Sequence, residues 1–302
     1  MRFFVAVTEN DWYSQLAEKR PDEVNFWRPS GAGFQALEVG GLFLFKLHSP
    51  LNFIAGGGFF LRYSKLPVSL TWDAFGWKNG VRTVEALLER IRKLNKRATA
   101  EPDPEIGNII LTEPFFLPRE KWIPLPANYP MNAVQGKGYD SADPDGAEIW
   151  LQVMDALAGD RLLVAKEESS RYGEALVRRR LGQGGFRVEV TEVYQRRCAI
   201  SGERTLPVLQ AAHIRPFSKE GPNLVSNGLC LRADMHLLFD QGLLTVTPEY
   251  RVEVSPKIKE RYENGRDYYA HHGQELQVLP ASAEDLPAPE FLSWHNENVF
   301  VA

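Results

Sequence analysis

Residues Gln210–Asp240 read QAAHIRPFSKEGPNLVSNGLCLRADMHLLFD, and the order of apolar runs and turn formers in that stretch decides the fold of the C-terminal half. Leu206 to Ile214 alternates well enough for a short strand, whereas Arg215 to Ser226 carries Pro216, Gly221, Pro222 and Asn223, a loop composition. Apolar Leu229 to Leu231 follow Asn227 and Gly228 as a second strand. Ala233 to Phe239 then has helical spacing that stops before Gly242. The predicted order is strand, loop, strand, helix, which ends the first strand at His213 beside an open loop. His236 and Asp240, four apart on the helix, project from one face and can converge on one cation, leaving His213 free to act on water.

This string resembles the HNH endonuclease family, whose ββα-metal fold puts a general-base His at the end of the first strand. His213, Asn227 and His236 match its three-letter signature, and GERTLPVLQAAHI and SNGLCLRADMHLLFDQGLL extend the match over about forty residues. The resemblance implies that His213 takes a proton from the attacking water, that Asn227 ties the loop so that the ring is oriented, and that His236 holds a divalent metal. The ion would bind the scissile phosphate and the leaving 3′ oxygen, while neutral His213 works near an ordinary pKa of about 6.5. Mg²⁺ or Mn²⁺ is expected, and Ni²⁺ or Zn²⁺ also suits an imidazole and a carboxylate in other geometries.

Two departures from the family pattern bear on the metal. Many members place an Asp or His immediately before the general base as a further ligand; here that position is Ala212. Asp240 is the substitute, and the competing reading makes it a helix-end carboxylate that braces Arg232 or caps the next turn. Several members also carry paired CxxC knuckles, whereas this chain has only Cys198 and Cys230, which argues against a structural zinc. Two cysteines and no signal peptide fit a cytoplasmic protein.

At 302 residues and 44% hydrophobic content the chain is long enough for two domains, and no apolar run reaches the roughly 18 residues that span a bilayer, so no membrane role is expected. Net charge is −4, yet Arg171 to Arg215 holds nine Arg and four Glu, a local excess of five positive charges. This stretch reads as a helix interrupted at Gly182 to Gly185 and resumed from about Val188 to Arg197. Arg178, Arg179, Arg180, Arg187 and Arg215 are candidate contacts to the DNA backbone, against the alternative of a solvated helix face. Turn-rich sequence around 136–146 reads as a linker. That divides the chain into residues 1–135, the linker, and a nuclease domain at 147–302 with its core at 194–245.

The first domain holds five of the seven Trp, at 12, 27, 72, 77 and 122. Arg2 to Val7, Gly41 to Leu47, and Asn52 to Arg62 interrupted at Gly56 to Gly58 read as strands, and Val84 to Leu94 as an amphipathic helix. FWRPSGAGFQALEVGGLFLFKLHSPLNFIAGGGFF, after the first strand, resembles the EVE branch of the PUA-like superfamily over about sixty residues. The resemblance implies a small β-barrel with helices and an aromatic pocket for a modified base flipped out of the duplex. Trp27 is the candidate pocket aromatic, Asn10 a base-edge contact, and Trp12, Arg28, Ser49, Asn52 and Phe53 fall in loops that could converge on it. The alternative is that these tryptophans are core or rim residues of the barrel.

The expected fold class is therefore α+β, a PUA-like (EVE-like) barrel followed by a ββα-metal HNH domain with flanking helices. The expected function is modification-dependent restriction: cleavage of double-stranded DNA containing 5-methylcytosine or 5-hydroxymethylcytosine, by a homodimer, since two cuts on opposite strands need two centres. The alternative, kept open by Ala212, is a weak or inactive HNH protein that binds modified DNA or RNA.

Overall fold

Phe3, Val5 and Ala6 are buried on the first strand, β1 (Arg2–Thr8), because neighbours cover both faces of it. In the computed structural model, which describes residues 1–127, 129–130, 135–157 and 181–302, β1 lies inside a mixed sheet. The chain divides into two units, Met1–Gly185 and Phe186–Ala302.

The first unit is built on β1, β2 (Glu23–Arg28), β3 (Leu42–Leu47), β4 (Phe53–Pro67), β5 (Glu105–Phe116), β6 (Ile123–Pro124) and β7 (Gly136–Asp140). Their order is β2-β5-β4-β3-β1-β7, with β6 beside β4; β1 and β3 run parallel and the other pairs antiparallel. Among the described residues β2 and β7 are not paired, so no closed barrel forms there. Helices α1 (Asn10–Lys19), α2 (Val68–Phe75), α3 (Val84–Leu94) and α4 (Pro144–Ala156) complete the unit.

Two sequence readings change here. Gly56 to Gly58 do not interrupt a strand; they let β4 run through the middle of the sheet. A Cβ on Gly56 would lie 2.3 Å from the Phe115 carbonyl oxygen, and one on Gly57 would lie 2.7 Å from that of Phe43. The segment 136–146 is not a free linker: β7 pairs with β1 from Arg2↔Asp140 to Ala6↔Gly136, and α4 follows it in the first unit. A short strand of Gly, Lys and Tyr has no local signal of its own and forms because β1 offers it an unpaired edge.

Beneath the sheet, α2 and β5 bury a polar cluster. The Asn25 amide donates to Asn79 Oδ1 (2.8 Å) and Asn108 Oδ1 (2.7 Å), and Thr71 Oγ1 donates to Asn108 Oδ1 (3.1 Å), all at fully buried residues. Trp27 Nε1 donates to the Asn79 carbonyl at 3.0 Å, which ties the ring to the cluster.

The second unit contains most of α5 (Gln183–Val193), then β8 (Leu209–His213), β9 (Gly228–Arg232) and α6 (Ala233–Asp240). The hairpin β10 (Leu244–Val246) and β11 (Val252–Val254) and helices α7 (Lys257–Tyr262), α8 (Arg266–Tyr269) and α9 (Pro289–Asn298) follow. Helix α5 begins at the glycines where the sequence suggested a break. Within the first unit, Glu23 accepts from the Gly184 and Gly185 amides at 2.8 and 2.7 Å, and a Cβ on Gly182 would strike that carboxylate. Cys198 and Cys230 are buried free thiols. No described helix is long and apolar enough to cross a membrane.

Replacing Asn108 by Ala removes the acceptor of Thr71 Oγ1 and one of the two acceptors of the Asn25 amide, and should lower the unfolding free energy by about 2 kcal/mol or more. Urea denaturation checks this; a change below about 0.5 kcal/mol would show that the cluster holds nothing.

Candidate active site

β8 and β9 pair antiparallel from Leu209↔Arg232 to His213↔Gly228, so His213 stands at the strand end with the loop 214–227 above it. Gly228 is needed at the turn into β9 because a Cβ there would sit 2.5 Å from Val190 of α5. This close approach also brings Phe186 of α5 onto the catalytic-candidate ring: Phe186 and His213 stack with centroids 3.9 Å apart and planes 13° apart. The sequence reading gave Phe186 no part in the site.

Asn227 is fully buried and joins the two ends of the loop. Its Oδ1 accepts from the Arg215 amide, and its Nδ2 donates to the carbonyls of Arg215 and Pro222, each at 2.9 Å. Its own carbonyl accepts from Ile214 N at 2.9 Å. A carboxamide is the side chain that can both donate and accept there. Next to Pro222, Asn223 reaches His213: the ring Nε2 lies 2.9 Å from Asn223 Oδ1. Burial pushes the His213 pKa below its ordinary value, partly offset by this bond; the nearby His236 lowers it further and Asp240 raises it.

Helix α6 carries His236 and Asp240, with Nε2 to Oδ2 at 3.4 Å. Nδ1 of His236 lies 2.7 Å from Oε1 of Gln210 on β8. Burial lowers the His236 pKa and Asp240 works against it. The donor set fits one divalent ion: two atoms each about 2.1 Å from a cation stand about 3 to 3.4 Å apart. His236 and Asp240 would hold it, with water and phosphate oxygens in the other positions. Among the described residues no group of three or more His, Cys, Asp or Glu converges, and Ala212 is buried. Arg232 is braced by Asp234 at 2.6 Å rather than by Asp240. That leaves Asp240 facing His236.

Of the basic candidates, Arg178, Arg179 and Arg180 lie outside the described residues. Arg187 is half-buried on α5. Arg215 is committed within the unit, donating to the Lys219 carbonyl at 2.7 Å and lying 5.5 Å from the centre of the Trp294 ring.

His295 was not singled out by its sequence context and proves to be a core residue of this unit. Its ring stacks on Phe239 of α6 at 3.7 Å, Nε2 donates to the Phe239 carbonyl at 3.1 Å, and Nδ1 lies 2.8 Å from Thr245 Oγ1. Burial drives its pKa down to about 4.

In the first unit a cavity of about 670 Å³ is walled by aromatic rings, among them Phe4, Trp12, Phe26, Trp27, Phe34 and Phe43, with Glu9, Arg28, His48 and Gln135 as polar members. Trp12, Trp27 and Arg28 thus share one site. Arg28 is set by the carbonyls of Ala32 and Gly33 and by the Gln135 amide oxygen. Among the described residues the buried Trp12 Nε1 finds no hydrogen-bond partner. Asn10, Ser49, Asn52 and Phe53 are not in the wall. Asn10 Oδ1 accepts from His48 N, Asn52 Oδ1 accepts from Lys46, Ser49 forms a cis peptide with Pro50, and Phe53 is exposed beside Trp122. The wall residues Phe26 and Phe34 escaped notice because β2 and the irregular segment after it have no clear periodicity.

Residues 198–247 match the HNH endonuclease family HNH_2, and the chain therefore contains an HNH endonuclease domain in its C-terminal half. A comparison with curated proteins finds no match. Among solved structures, a mutant of the ASCH protein from Zymomonas mobilis aligns at 10% identity and TM-score 0.28, covering 40% of this chain and 76% of that one. The modification-dependent restriction endonuclease TagI aligns at 13% identity and TM-score 0.28, covering 92% of this chain and 75% of that one. Scores this low do not establish a common fold.

Asn227→Ala removes the ties across the loop and should cost about 2 to 4 kcal/mol in stability, read by chemical denaturation. His295, with its folded pKa depressed, takes up a proton more readily when unfolded. Its contribution is complete above about pH 6.5 and is lost as pH falls toward about 4, a loss on the order of 3 kcal/mol. Denaturation between pH 4 and 7 should show this loss greatly reduced in His295→Gln, and equal pH slopes would contradict it.

Proposed function

We propose that this protein is a metal-dependent endonuclease that cuts double-stranded DNA containing a modified cytosine, 5-methylcytosine or 5-hydroxymethylcytosine. The observation that carries the reading is the His213, Asn227, His236 and Asp240 arrangement within the HNH domain. In the proposed reaction His213 takes a proton from water, the oxygen attacks phosphorus, the bond to the 3′ oxygen breaks and that oxygen takes a proton from solvent, leaving a 5′-phosphate and a 3′-hydroxyl. A divalent ion held by His236 and Asp240 would supply Lewis acidity at the phosphate and stabilise the leaving oxygen. Asn227 keeps the loop, and with it the His213 ring, in place.

The aromatic cavity supports the selective part of the reading. Its volume falls within the roughly 300 to 1,000 Å³ of small-molecule sites, and a base turned out of the stack is recognised by aromatic contact and by hydrogen bonds to its polar edge. Trp12, Trp27 and Arg28 are the proposed contacts, with Glu9 and Gln135 as further polar groups. Cutting both strands needs two such centres, which a homodimer would supply. Arg187 and the arginines at 178–180 are proposed to meet phosphates.

Plasmids carrying cytosine, 5-methylcytosine, 5-hydroxymethylcytosine or N6-methyladenine, incubated with Mg²⁺ or Mn²⁺, test this. The expected outcome is cleavage confined to modified-cytosine DNA, lowered by a factor of about 10² or more in His213→Ala and weakened in Arg28→Ala. Equal cleavage of all substrates would overturn the reader. Tight modified-DNA binding without cleavage in any metal would overturn the enzyme in favour of a binding module.

A further inference from the structure

We infer that two side-chain carboxamides, those of Asn223 and Gln210, hold His213 and His236 in opposite neutral tautomers, so that His213 presents a bare Nδ1 and His236 a bare Nε2. An amide oxygen only accepts, so a ring nitrogen facing one must carry the hydrogen. His213 Nε2 faces Asn223 Oδ1 at 2.9 Å, which leaves its Nδ1 as the proton-accepting nitrogen. His236 Nδ1 faces Gln210 Oε1 at 2.7 Å, which leaves its Nε2 lone pair on the side of Asp240.

The second assignment works against a local competitor. Neutral histidine in water favours the Nε2–H form, and Asp240 Oδ2 at 3.4 Å would welcome that hydrogen. A His236 so arranged would spend the nitrogen that the metal needs. Gln210 opposes this by offering the nearer acceptor, at the other nitrogen.

Asn223 is set in turn by Asn227, which holds the carbonyl of the preceding residue, Pro222, at 2.9 Å. Asn227 thereby acts on His213 at one remove, and Phe186 fixes the ring plane from its face. Asn223 and Gln210 are positioning residues for the proton acceptor and the metal ligand, respectively. Their named roles rest on the hydrolytic reading of the site, but the tautomers can be observed without any substrate.

The test uses the metal-free full-length chain labelled with ¹⁵N-histidine at pH 8, with long-range proton–nitrogen correlations assigned by single His variants. The expected spectrum shows Nε2–H at His213 and Nδ1–H at His236; the same tautomer at both, or a rapid mixture at either, overturns the inference. In Gln210→Leu, His236 should turn to Nε2–H and Mn²⁺ affinity should fall about ten- to a hundredfold by calorimetry, with His213 unchanged. In Asn223→Leu, His213 should lose its single tautomer and kcat should fall while KM and Mn²⁺ affinity hold. An unaltered tautomer in either variant overturns the corresponding role. Gln210→Glu and Asn223→Asp keep an accepting oxygen and should keep both tautomers, so a switch in them also overturns it. Both tautomers present together with unselective DNA cleavage would remove the modified-base reading and leave this one standing.

Discussion

The side chain of Asn227 closes the loop between β8 and β9 through three hydrogen bonds, and the working geometry of the second unit depends on that closure. Two short 3-10 turns, Phe217–Lys219 and Val225–Asn227, satisfy only part of this loop's backbone, so other polar groups in it need side-chain partners. One buried carboxamide satisfies both faces of Arg215 and the carbonyl of Pro222. The consequence is a fixed Asn223 beside a fixed His213. Gly228, next in sequence, lets α5 approach closely enough for Phe186 to stack on the same ring.

A second constraint supports the metal side. Helix α6 puts His236 and Asp240 on one face, and His295 locks the end of that helix through Phe239. Burial favours the neutral form of His295, which links the packing of the end of α6 to pH. In the first unit the buried Asn25, Asn79 and Asn108 cluster performs a comparable task by tying the Trp27 ring through the Asn79 carbonyl. Both sites thus stand on buried polar contacts that come from distant segments.

The HNH half was largely legible. Strand, loop, strand and helix fall within a few residues of the expected spans, because each is signalled locally by Pro, Gly, Asn and helical spacing. The first unit was less so. Its central strands β4 and β5 are buried along most of their lengths, so alternation is faint, and its partners lie far apart in sequence. The linker reading failed for the same reason: β7 is a strand only by virtue of β1. Asn10, Ser49, Asn52 and Phe53 were grouped with Trp27 as positions after strands and in loops that could converge on it, whereas the cavity wall is drawn from β1, α1, β2, the segment after β2, β3, α3 and β5.

The sequence by itself determined which residue types meet at the HNH site and in what order along the chain, since His213, Asn227, His236 and Asp240 lie within thirty residues of one another and their spacing is a property of local strand and helix geometry. Tertiary structure alone decided which atoms of those residues are available. The free nitrogen of each histidine depends on the acceptor facing its other nitrogen, Asn223 for one and Gln210 for the other. Asp234 rather than Asp240 reaches the Arg232 guanidinium, and Asp240 stands beside His236 instead. Hydrogen-bond direction and burial are properties of packed neighbours, and no spacing rule along a single chain carries them.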